Sequence, residues 1–360
     1  MKDKNKPLDY AQGKKVLVGL SGGVDSSASC VLLKEKGYKV EALFVKVWQP
    51  DFIECNWREE MRDAMRVCAQ LEIPFHFLDL EEQYKKEVVD YFIEDYKQGN
   101  TPNPDIMCNK YMKFGHLFDF AMDNGFDFVA TGHYAQTKNG ELFKGKDSNK
   151  DQSYFLWTLQ KKKLDKILFP IGELQKNKVR KVAEDNNLFN SSKKDSQGVC
   201  ILGPIDMKDF LKKYAEVEKG DVLNEKGEII GTHDGSILYT IGERHGFKIS
   251  KDYKGTDDKT LYVVSKNTER NTVTVSKNKL DTQVTSIKIK DISFVNETQP
   301  LETQTLNIEF QTRYRQQPQS GILKGNILEA EFKEIPVVGQ SVVFYIGNKC
   351  LGGGVIEELN

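Results

Sequence analysis

Short apolar runs alternate with amphipathic stretches over the first two hundred residues of the chain. Residues 16–20, 40–48 and 75–80 have the length and composition of buried strands. Between and after them, residues 56–71 and 81–98 repeat apolar side chains at helical spacing. Strands that alternate with helices are typical of a doubly wound parallel sheet, which binds ligands at the carboxyl ends of its strands. The pattern therefore predicts an α/β fold for this part of the chain.

The pattern changes after about residue 206. A short helix at 207–214 precedes turns and short strands as far as residue 276, and from about residue 280 apolar and polar positions alternate with period two. Glycine-rich turns separate these alternating runs, which is typical of a small β-barrel. We therefore expect three domains: an α/β domain at 1–205, a small central domain at 206–278 and a C-terminal β-barrel at 279–360.

One stretch, 16–37, combines a strand, a turn of small residues and a helix. The turn reads SGGVDSS from Ser21 to Ser27. A helix amino terminus that follows glycines is an anion site, because its first N–H groups are unpaired and the macrodipole is positive there. No Gly-Lys-Ser/Thr follows, so the loop lacks the lysine of the Walker motif and must hold phosphate by amides and hydroxyls. The alternative is a tight turn that binds nothing.

Two cysteines and one histidine lie in segments that suit an active site. Cys108 follows the sequence Asn-Pro-Asp at 103–105; if the aspartate caps the next helix, the helix start lowers the thiol pKa from its free value of about 8.5. Cys200 follows a polar loop, 191–198, whose lysines favour thiolate and which we expect to be mobile. His133 follows Gly132 after a predicted strand at 127–131. Each of these residues, taken alone, is more often structural.

Composition limits the partners. Lys and Arg number 52 and Asp and Glu 53, so a nucleic acid would have to be held by local basic patches. The six cysteines lie far apart without a Cys-x-x-Cys pair, which predicts reduced thiols and no zinc site. No apolar run has membrane length and the first residues lack a signal-like apolar region, so we expect a cytoplasmic protein without a membrane. Candidates for phosphate contacts are Lys150, Lys161, Lys162, Lys163, Lys176, Lys178, Arg180, Lys181, Arg313 and Arg315.

Longer segments make the interpretation specific. They are PNPDIMCNKYMKF, ATGHYA, SNKDQSYFLWTL, LFPIGELQKNKVRKVAE, KKDSQGVCIL, TRYRQ and GQSVVFYIGNKCLGGGVIE. In order and spacing, from about residue 14 to 356, they resemble the tRNA-specific 2-thiouridylases, and SGGVDSS resembles the signature loop of the wider PP-loop ATP pyrophosphatase superfamily. The resemblance implies that ATP adenylates O2 of the wobble uridine in certain tRNA anticodons. A cysteine persulfide then delivers sulfur to C2, and AMP leaves.

The resemblance also implies roles for residues. Cys200 would carry the persulfide, Cys108 would attack or resolve it and leave a disulfide, and Asp105 would be a general acid or base. The nucleotide pocket would be formed by Gly19, Leu20, Ser21, Gly22, Gly23, Val24, Asp25, Ser26, Val45 and Gly132. The tRNA would contact Asn103, Pro104, Asp105, His133, Lys150, Asp151, Gln152, Arg313, Tyr314 and Gln340. ATP and Mg²⁺, without assigned metal ligands, would be the cofactors. The anticodon loop of tRNA and a persulfide donor, such as a cysteine desulfurase or a sulfur-relay protein, would be the partners.

Two other classes of function remain open from the sequence. The first is a different PP-loop enzyme, such as a 4-thiouridine synthase or a small-molecule synthetase, although a synthetase needs neither two cysteines nor a barrel carrying TRYRQ. The second is a non-catalytic RNA-binding or sulfur-carrier relative, although loss of activity should have damaged SGGVDSS, Asp105 or a cysteine. Cys55, in the segment after the second strand, receives no role.

We predict that Cys108→Ser and Cys200→Ser each abolish thiolation and leave ATP binding largely intact. Both cysteines lie outside the SGGVDSS loop, which holds the nucleotide through backbone amides. Thiouridine formation with a persulfide donor and ATP binding should be measured on the same preparations. Full thiolation by either variant would remove that cysteine from the mechanism.

Overall fold

A computed structural model describes residues 11–52, 57–194, 207–251, 253, 260–278, 284–296 and 305–360. Cys55, Cys200 and the end of the polar loop at 195–198 lie outside these ranges. Within the ranges, no helix is both long and apolar enough to cross a membrane. The strands in chain order are β1 (Lys15–Gly19), β2 (Lys39–Lys46), β3 (Phe75–Asp79), β4 (Phe128–Ala130), β5 (Ala135–Lys138), β6 (Glu141–Lys144), β7 (Ile167–Leu168), β8 (Gly220–Leu223), β9 (Ile229–His233), β10 (Phe247–Ile249), β11 (Tyr262–Asn267), β12 (Thr272–Ser276), β13 (Ser286–Phe294), β14 (Thr305–Gln311), β15 (Gln319–Lys324), β16 (Ile327–Glu329), β17 (Ser341–Ile346) and β18 (Lys349–Leu359).

The helices include two long ones that change their hydrogen-bond pattern along their length. Helix α3 consists of the consecutive segments Glu81–Tyr84, Lys85–Asp90 and Tyr91–Lys97, and helix α4 consists of Pro104–Met107, Cys108–His116 and Leu117–Asp123. The middle segment of each is π-helical, a form that often occurs at functional sites. The other helices are α1 (Val24–Glu35), α2 (Trp57–Leu71), α5 (Lys161–Leu164), α6 (Lys176–Asp185) and α7 (Met207–Tyr214).

A parallel sheet with strand order β3-β2-β1-β4-β7 forms the centre of the first domain. Alternate residues of β1 enter different apolar clusters, because successive side chains of a strand point to opposite faces. Val16 and Val18 pack with α1 and α2 on one face, and Leu17 packs with α4 on the other. Helices therefore cover both faces, and the predicted doubly wound α/β fold is confirmed.

Helix α4 begins at Pro104, seven residues before the predicted start at residue 111. Asn103 caps it, since its Oδ1 accepts a hydrogen bond of 3.1 Å from the Asp105 backbone N–H. Proline suits the first helical position because it has no N–H to leave unpaired. The sequence predicts a rigid loop at 99–105 and a helix from residue 111, and the loop prediction is wrong only from Pro104 onward, because this proline starts the helix.

The central domain contains a five-stranded sheet with order β10-β9-β8-β12-β11. In the C-terminal domain, strands run in the order β13-β16-β15-β14-β17-β18, and β13 also pairs with β18. This additional pairing closes a six-stranded antiparallel barrel, which confirms the predicted barrel. The hairpin β5–β6 extends the same sheet from β18, with Cys350 opposite Leu142. A chain segment between β4 and β7, two strands of the parallel sheet, thus becomes part of the barrel sheet.

The charged sequence of residues 144–159, which begins at the end of β6, predicts a flexible stretch, and for its second half this prediction is wrong. Ser153–Leu156 forms a 3₁₀ turn, and Tyr154 and Trp157 are buried. The Tyr154 hydroxyl donates to the Ser341 carbonyl at 2.8 Å, and the Trp157 indole N–H donates to the Ser341 hydroxyl at 3.1 Å. The aromatic side chains of this segment fix the barrel to the α/β domain.

Candidate functional site

The SGGVDSS loop connects β1 to α1 at the carboxyl edge of the parallel sheet. Gly22 has φ of +74°, and a Cβ there would lie 2.8 Å from the Glu60 carbonyl oxygen, so only glycine fits. Helix α1 starts after Gly23 without a side-chain cap from any described residue. The N–H groups of its first turn are therefore available to an anion.

Hydroxyl groups brace this loop from within. Ser26 and Ser27 both donate to the Gly23 carbonyl, at 3.1 and 2.8 Å. The Asn190 side-chain amide donates to the Gly22 carbonyl at 3.0 Å and to the Ser27 hydroxyl at 2.9 Å. The sequence predicted these serines as phosphate donors, whereas the structure directs Ser27 inward. Sequence reasoning missed Asn190, which belongs to no local motif.

An ion pair lies beside the loop. The Lys176 ammonium donates to Oδ1 of Asp25 at 2.7 Å, and the Tyr134 hydroxyl donates to the same oxygen at 2.8 Å. Lys176 begins α6, and its side chain is only 14% exposed. The sequence grouped this lysine with residues that contact RNA phosphates. The structure instead places the Lys176 ammonium next to the SGGVDSS turn, which contains no lysine or arginine.

The carboxyl ends of β1, β2 and β4 lie around the SGGVDSS loop. A Cβ on Gly132 would lie 2.8 Å from the Ser26 backbone nitrogen, so this glycine allows β4 to approach the first turn of α1. Gly19 ends β1, and Val45 near the end of β2 is partly buried between two apolar clusters. The structure brings these predicted pocket residues together at one edge of the sheet.

His133 lies behind this edge and is only 7% exposed. Its Nδ1 is 2.8 Å from the Thr131 hydroxyl, and its Nε2 is 3.4 Å from the Lys113 ammonium. Burial, together with the Lys113 charge, lowers the pKa of His133 well below its ordinary value. The imidazole is therefore neutral, with Nε2 accepting from the lysine.

Cys108 lies one turn into α4 and has no exposed surface. Its backbone N–H bonds to the carbonyls of Pro104 and Asp105, so it is not at the open start of the helix. The thiol shares an apolar cluster with Val47 and Leu80, which directly follow β2 and β3. Because the predicted cap was Asp105 and the observed cap is Asn103, the expected effect of an open helix start on Cys108 does not apply.

The start of the loop that leads to Cys200 is anchored. One guanidinium nitrogen of Arg180 donates to the carbonyls of Ser191 and Lys193, at 2.9 and 3.0 Å. The Lys193 ammonium is 2.7 Å from Asp63. The predicted mobility is therefore not a property of the first residues of this loop, and residues 195–198 and Cys200 lie outside the described ranges.

Most residues expected to contact tRNA form bonds within the protein. Asp151 accepts from the backbone N–H groups of Gly145 and Ser153, and burial raises its pKa. Gln152 accepts from the Tyr134 N–H at 3.0 Å. The Lys150 backbone N–H donates to the Asp147 carbonyl.

Among the residues expected to contact tRNA, Arg313, Tyr314 and Gln340 belong to the barrel. They lie on the side of the barrel that faces the α/β domain. A guanidinium nitrogen of Arg313 is 3.6 Å from a Glu334 carboxylate oxygen, and the Tyr314 ring lies 4.5 Å from the Phe155 ring. Gln340 donates to the Thr101 carbonyl. A polar cavity of about 580 Å³ separates the loop after β6 from the barrel. Its lining includes Lys144, Lys146, Asp151, Tyr314, Arg315 and Gln316.

Comparisons with known proteins match the whole described architecture. Family profiles described as tRNA methyl transferase HUP domain, tRNA methyl transferase PRC-barrel domain and aminomethyltransferase beta-barrel domain match residues 14–204, 208–277 and 284–356. A protein of Shewanella amazonensis named tRNA-specific 2-thiouridylase MnmA is 41% identical over 96% of this chain and 95% of its own. A Klebsiella pneumoniae protein of the same name is 42% identical over 96% and 97%.

The chain belongs to the tRNA-specific 2-thiouridylase family. This membership confirms the family and the enzyme class predicted from the sequence. Solved structures with partial similarity include a 4-thiouridine synthetase–RNA complex with bound ATP, at a TM-score of 0.33 and 19% identity over 56% of this chain and 50% of that chain. Another is the U34-tRNA thiolase NcsA from Methanococcus maripaludis, at 0.35 and 19% over 57% and 68%. Scores this low carry no argument about the site.

We predict that His133 makes this 2-thiouridylase family member less stable in mild acid. The unfolded chain protonates this histidine near its ordinary pKa of about 6.5, whereas the folded protein keeps it neutral. The unfolded state then binds more protons, so the free energy of unfolding falls as the pH drops from about 6.5 to 5. His133→Gln should flatten this dependence by up to about 1.4 kcal/mol per pH unit.

Denaturant unfolding at pH 7 and pH 5 measures the effect. His245→Gln is the control, because His245 is exposed. An acid dependence that is the same in His133→Gln and in the unmodified protein would show that the buried imidazole is not its source.

Proposed function

We propose that this protein catalyses the ATP-dependent 2-thiolation of the wobble uridine in tRNA anticodons. Membership in the 2-thiouridylase family supports the reaction. The observation that carries the proposal is the placement of two chemistries at one sheet edge. The uncapped SGGVDSS turn follows β1, and Cys108 packs on Val47 and Leu80, just beyond the ends of β2 and β3.

The SGGVDSS turn would hold the phosphates of ATP through the first N–H groups of α1. Lys176, held 2.7 Å from Asp25, would supply the cation that the turn lacks. Within the described ranges no group of three or more metal-ligating side chains occurs, and Asp25 is the single carboxylate of the turn. Mg²⁺ often binds through one carboxylate together with substrate phosphates, so Asp25 fits as its protein ligand.

The reaction separates into two steps. In the first, uridine O2 attacks the α-phosphorus of ATP, an O–P bond forms, and pyrophosphate leaves. This step is needed because O2 is a poor leaving group, whereas AMP is a good one. In the second, persulfide sulfur forms a bond to C2 and the C2–O2 bond breaks, which releases AMP.

Three residues would carry out sulfur transfer. Cys200 would carry the persulfide. Once its outer sulfur is bonded to C2, the Cys108 thiolate would attack Sγ of Cys200 and break the S–S bond to the transferred sulfur, leaving a Cys108–Cys200 disulfide that a cellular thiol reductant reopens. Asp105 would act as general acid or base, two positions after the cap of α4. Sulfur would come from a persulfide donor, such as a cysteine desulfurase or a relay protein. The anticodon base has to leave its stack before O2 reaches the phosphate.

Lysine, arginine and tyrosine side chains around the 580 Å³ cavity would contact the RNA. Tyr314 lines this cavity, Lys150 lies two residues after the lining residue Ser148, and Arg313 lines a second cavity with Thr101 and Gln340. Phosphate contacts at these positions would orient the anticodon arm. His133, Asp151 and Gln152 would act by shaping this region, since their side chains bond within the protein.

Mass spectrometry of nucleosides tests the function directly. Unmodified tRNA is incubated with the protein, ATP, Mg²⁺ and a persulfide donor, and digested to nucleosides. We expect 2-thiouridine at the wobble position, and none without ATP. 4-Thiouridine would indicate a different PP-loop thiolase, and the absence of any thionucleoside would contradict the proposal.

We further predict that Lys176→Met weakens the binding of ATP and of inorganic pyrophosphate by about ten- to hundredfold, the range for a lost charge-assisted hydrogen bond. Methionine keeps the length of the side chain and removes its charge. Lys178→Met is the matched control, because Lys178 is on the same helix and exposed. Isothermal titration calorimetry measures both ligands. Equal affinities in the two variants would remove Lys176 from the phosphate site.

A further inference from the structure

A turn of the barrel, residues 338–340, contacts the segment that precedes α4. The barrel itself fixes this turn. The Gly339 N–H donates to the Ile356 carbonyl at 2.9 Å, and the Ile356 N–H donates to the Gln340 carbonyl at 2.9 Å. The Gln340 N–H closes the turn on Val337 at 3.0 Å. The turn is therefore a rigid extension of β18.

Three contacts join this barrel turn to residues 100–102. The Thr101 N–H donates to the Val338 carbonyl at 3.0 Å. The Gln340 side-chain amide donates to the Thr101 carbonyl and lies 3.5 Å from the Pro102 carbonyl oxygen. Gly339 has φ of +88°, and a Cβ there would lie 2.6 Å from the Thr101 nitrogen. Both backbone polar groups of Thr101, which is 8% exposed, are thus bonded to the barrel.

The segment held in this way leads directly into the first turn of α4. Pro102 and Pro104 flank Asn103 and restrict the backbone to few conformations, because each ring fixes its own φ. Asn103 then caps the helix, and Cys108 follows at the end of its first turn. A displacement of Thr101 therefore moves the helix start that carries the cysteine.

The barrel does not need these contacts in order to dock. Tyr154 and Trp157 already bond to Ser341, and β6 pairs with β18. The Gln340 amide instead bonds to backbone in a segment without secondary structure. We propose that Gln340 is a positioning residue, which holds residues 101–102 from the barrel and so fixes the helix start with Asp105 and Cys108. The barrel then completes the thiolation site, and only this last step rests on the proposed function.

Hydrogen exchange of the RNA-free protein tests the positioning. Gln340→Ala removes the donor, and Gln340→Glu places a carboxylate against the Thr101 carbonyl. In both variants we expect the amides of residues 101–108 to exchange about tenfold faster, as the loss of one buried hydrogen bond implies. Asn326→Asp is the control: it likewise turns an amide into a carboxylate, at an exposed barrel position outside the 580 Å³ cavity, and exchange at 101–108 should not change.

The rate of single-turnover thiolation separates positioning from RNA contact. At saturating tRNA and ATP, the Gln340 variants should be about tenfold or more slower, because small displacements of a reacting group are costly. Their affinity for tRNA should match that of the Asn326→Asp control.

Two results would overturn the proposal. The first is unchanged exchange at 101–108 in both Gln340 variants. The second is weaker tRNA binding with a normal rate at saturation, which would make Gln340 an RNA contact alone. If the unmodified protein formed no thiouridine, the proposed function would fail, and hydrogen exchange would still decide whether the barrel turn holds the helix start.

Discussion

The ion pair between Lys176 and Asp25 joins parts of the site that lie 151 positions apart in the sequence. A turn that binds polyphosphate has to balance several negative charges, yet SGGVDSS contains one carboxylate and no cation. In the structure, Lys176 at the start of α6 contacts Asp25 in the first turn of α1. The Tyr134 hydroxyl donates to the same Asp25 carboxylate. Gly132 makes the approach of β4 possible, because any side chain there would strike the backbone of α1.

The barrel is attached to the same α/β domain through several contacts. Its sheet continues into the hairpin β5–β6, and Ser341 accepts hydrogen bonds from both Tyr154 and Trp157. These contacts join the barrel to the α/β domain, and the 338–340 turn lies against Thr101. A domain that looks like a separate RNA-binding module in the sequence is thus attached to the helix that carries Cys108.

Cys108 itself lies in the apolar cluster that α3 and α4 share with the central domain. Tyr84 and Val88 surround it from the α/β side, and the cluster continues to Phe210, whose ring is 6.3 Å from that of Phe92. Complete burial protects a thiol from adventitious oxidation. For the sulfur transfer proposed above, this packing would have to open before a substrate could reach the Cys108 sulfur.

The sequence by itself determined the α/β class, the barrel, the glycine-rich turn after β1 and the family, because periodicity and contiguous motifs are properties of neighbouring residues. Only the tertiary structure decided which residues from distant segments of the chain contact each other. Lys176 meets Asp25 across 151 positions, and Asn190 braces Gly22 from beyond the same helix. The cap of α4 is Asn103 rather than Asp105, and the aromatic residues after β6 dock the barrel instead of forming a flexible stretch. These outcomes depend on which surfaces the fold brings together, and no local pattern of residues encodes that.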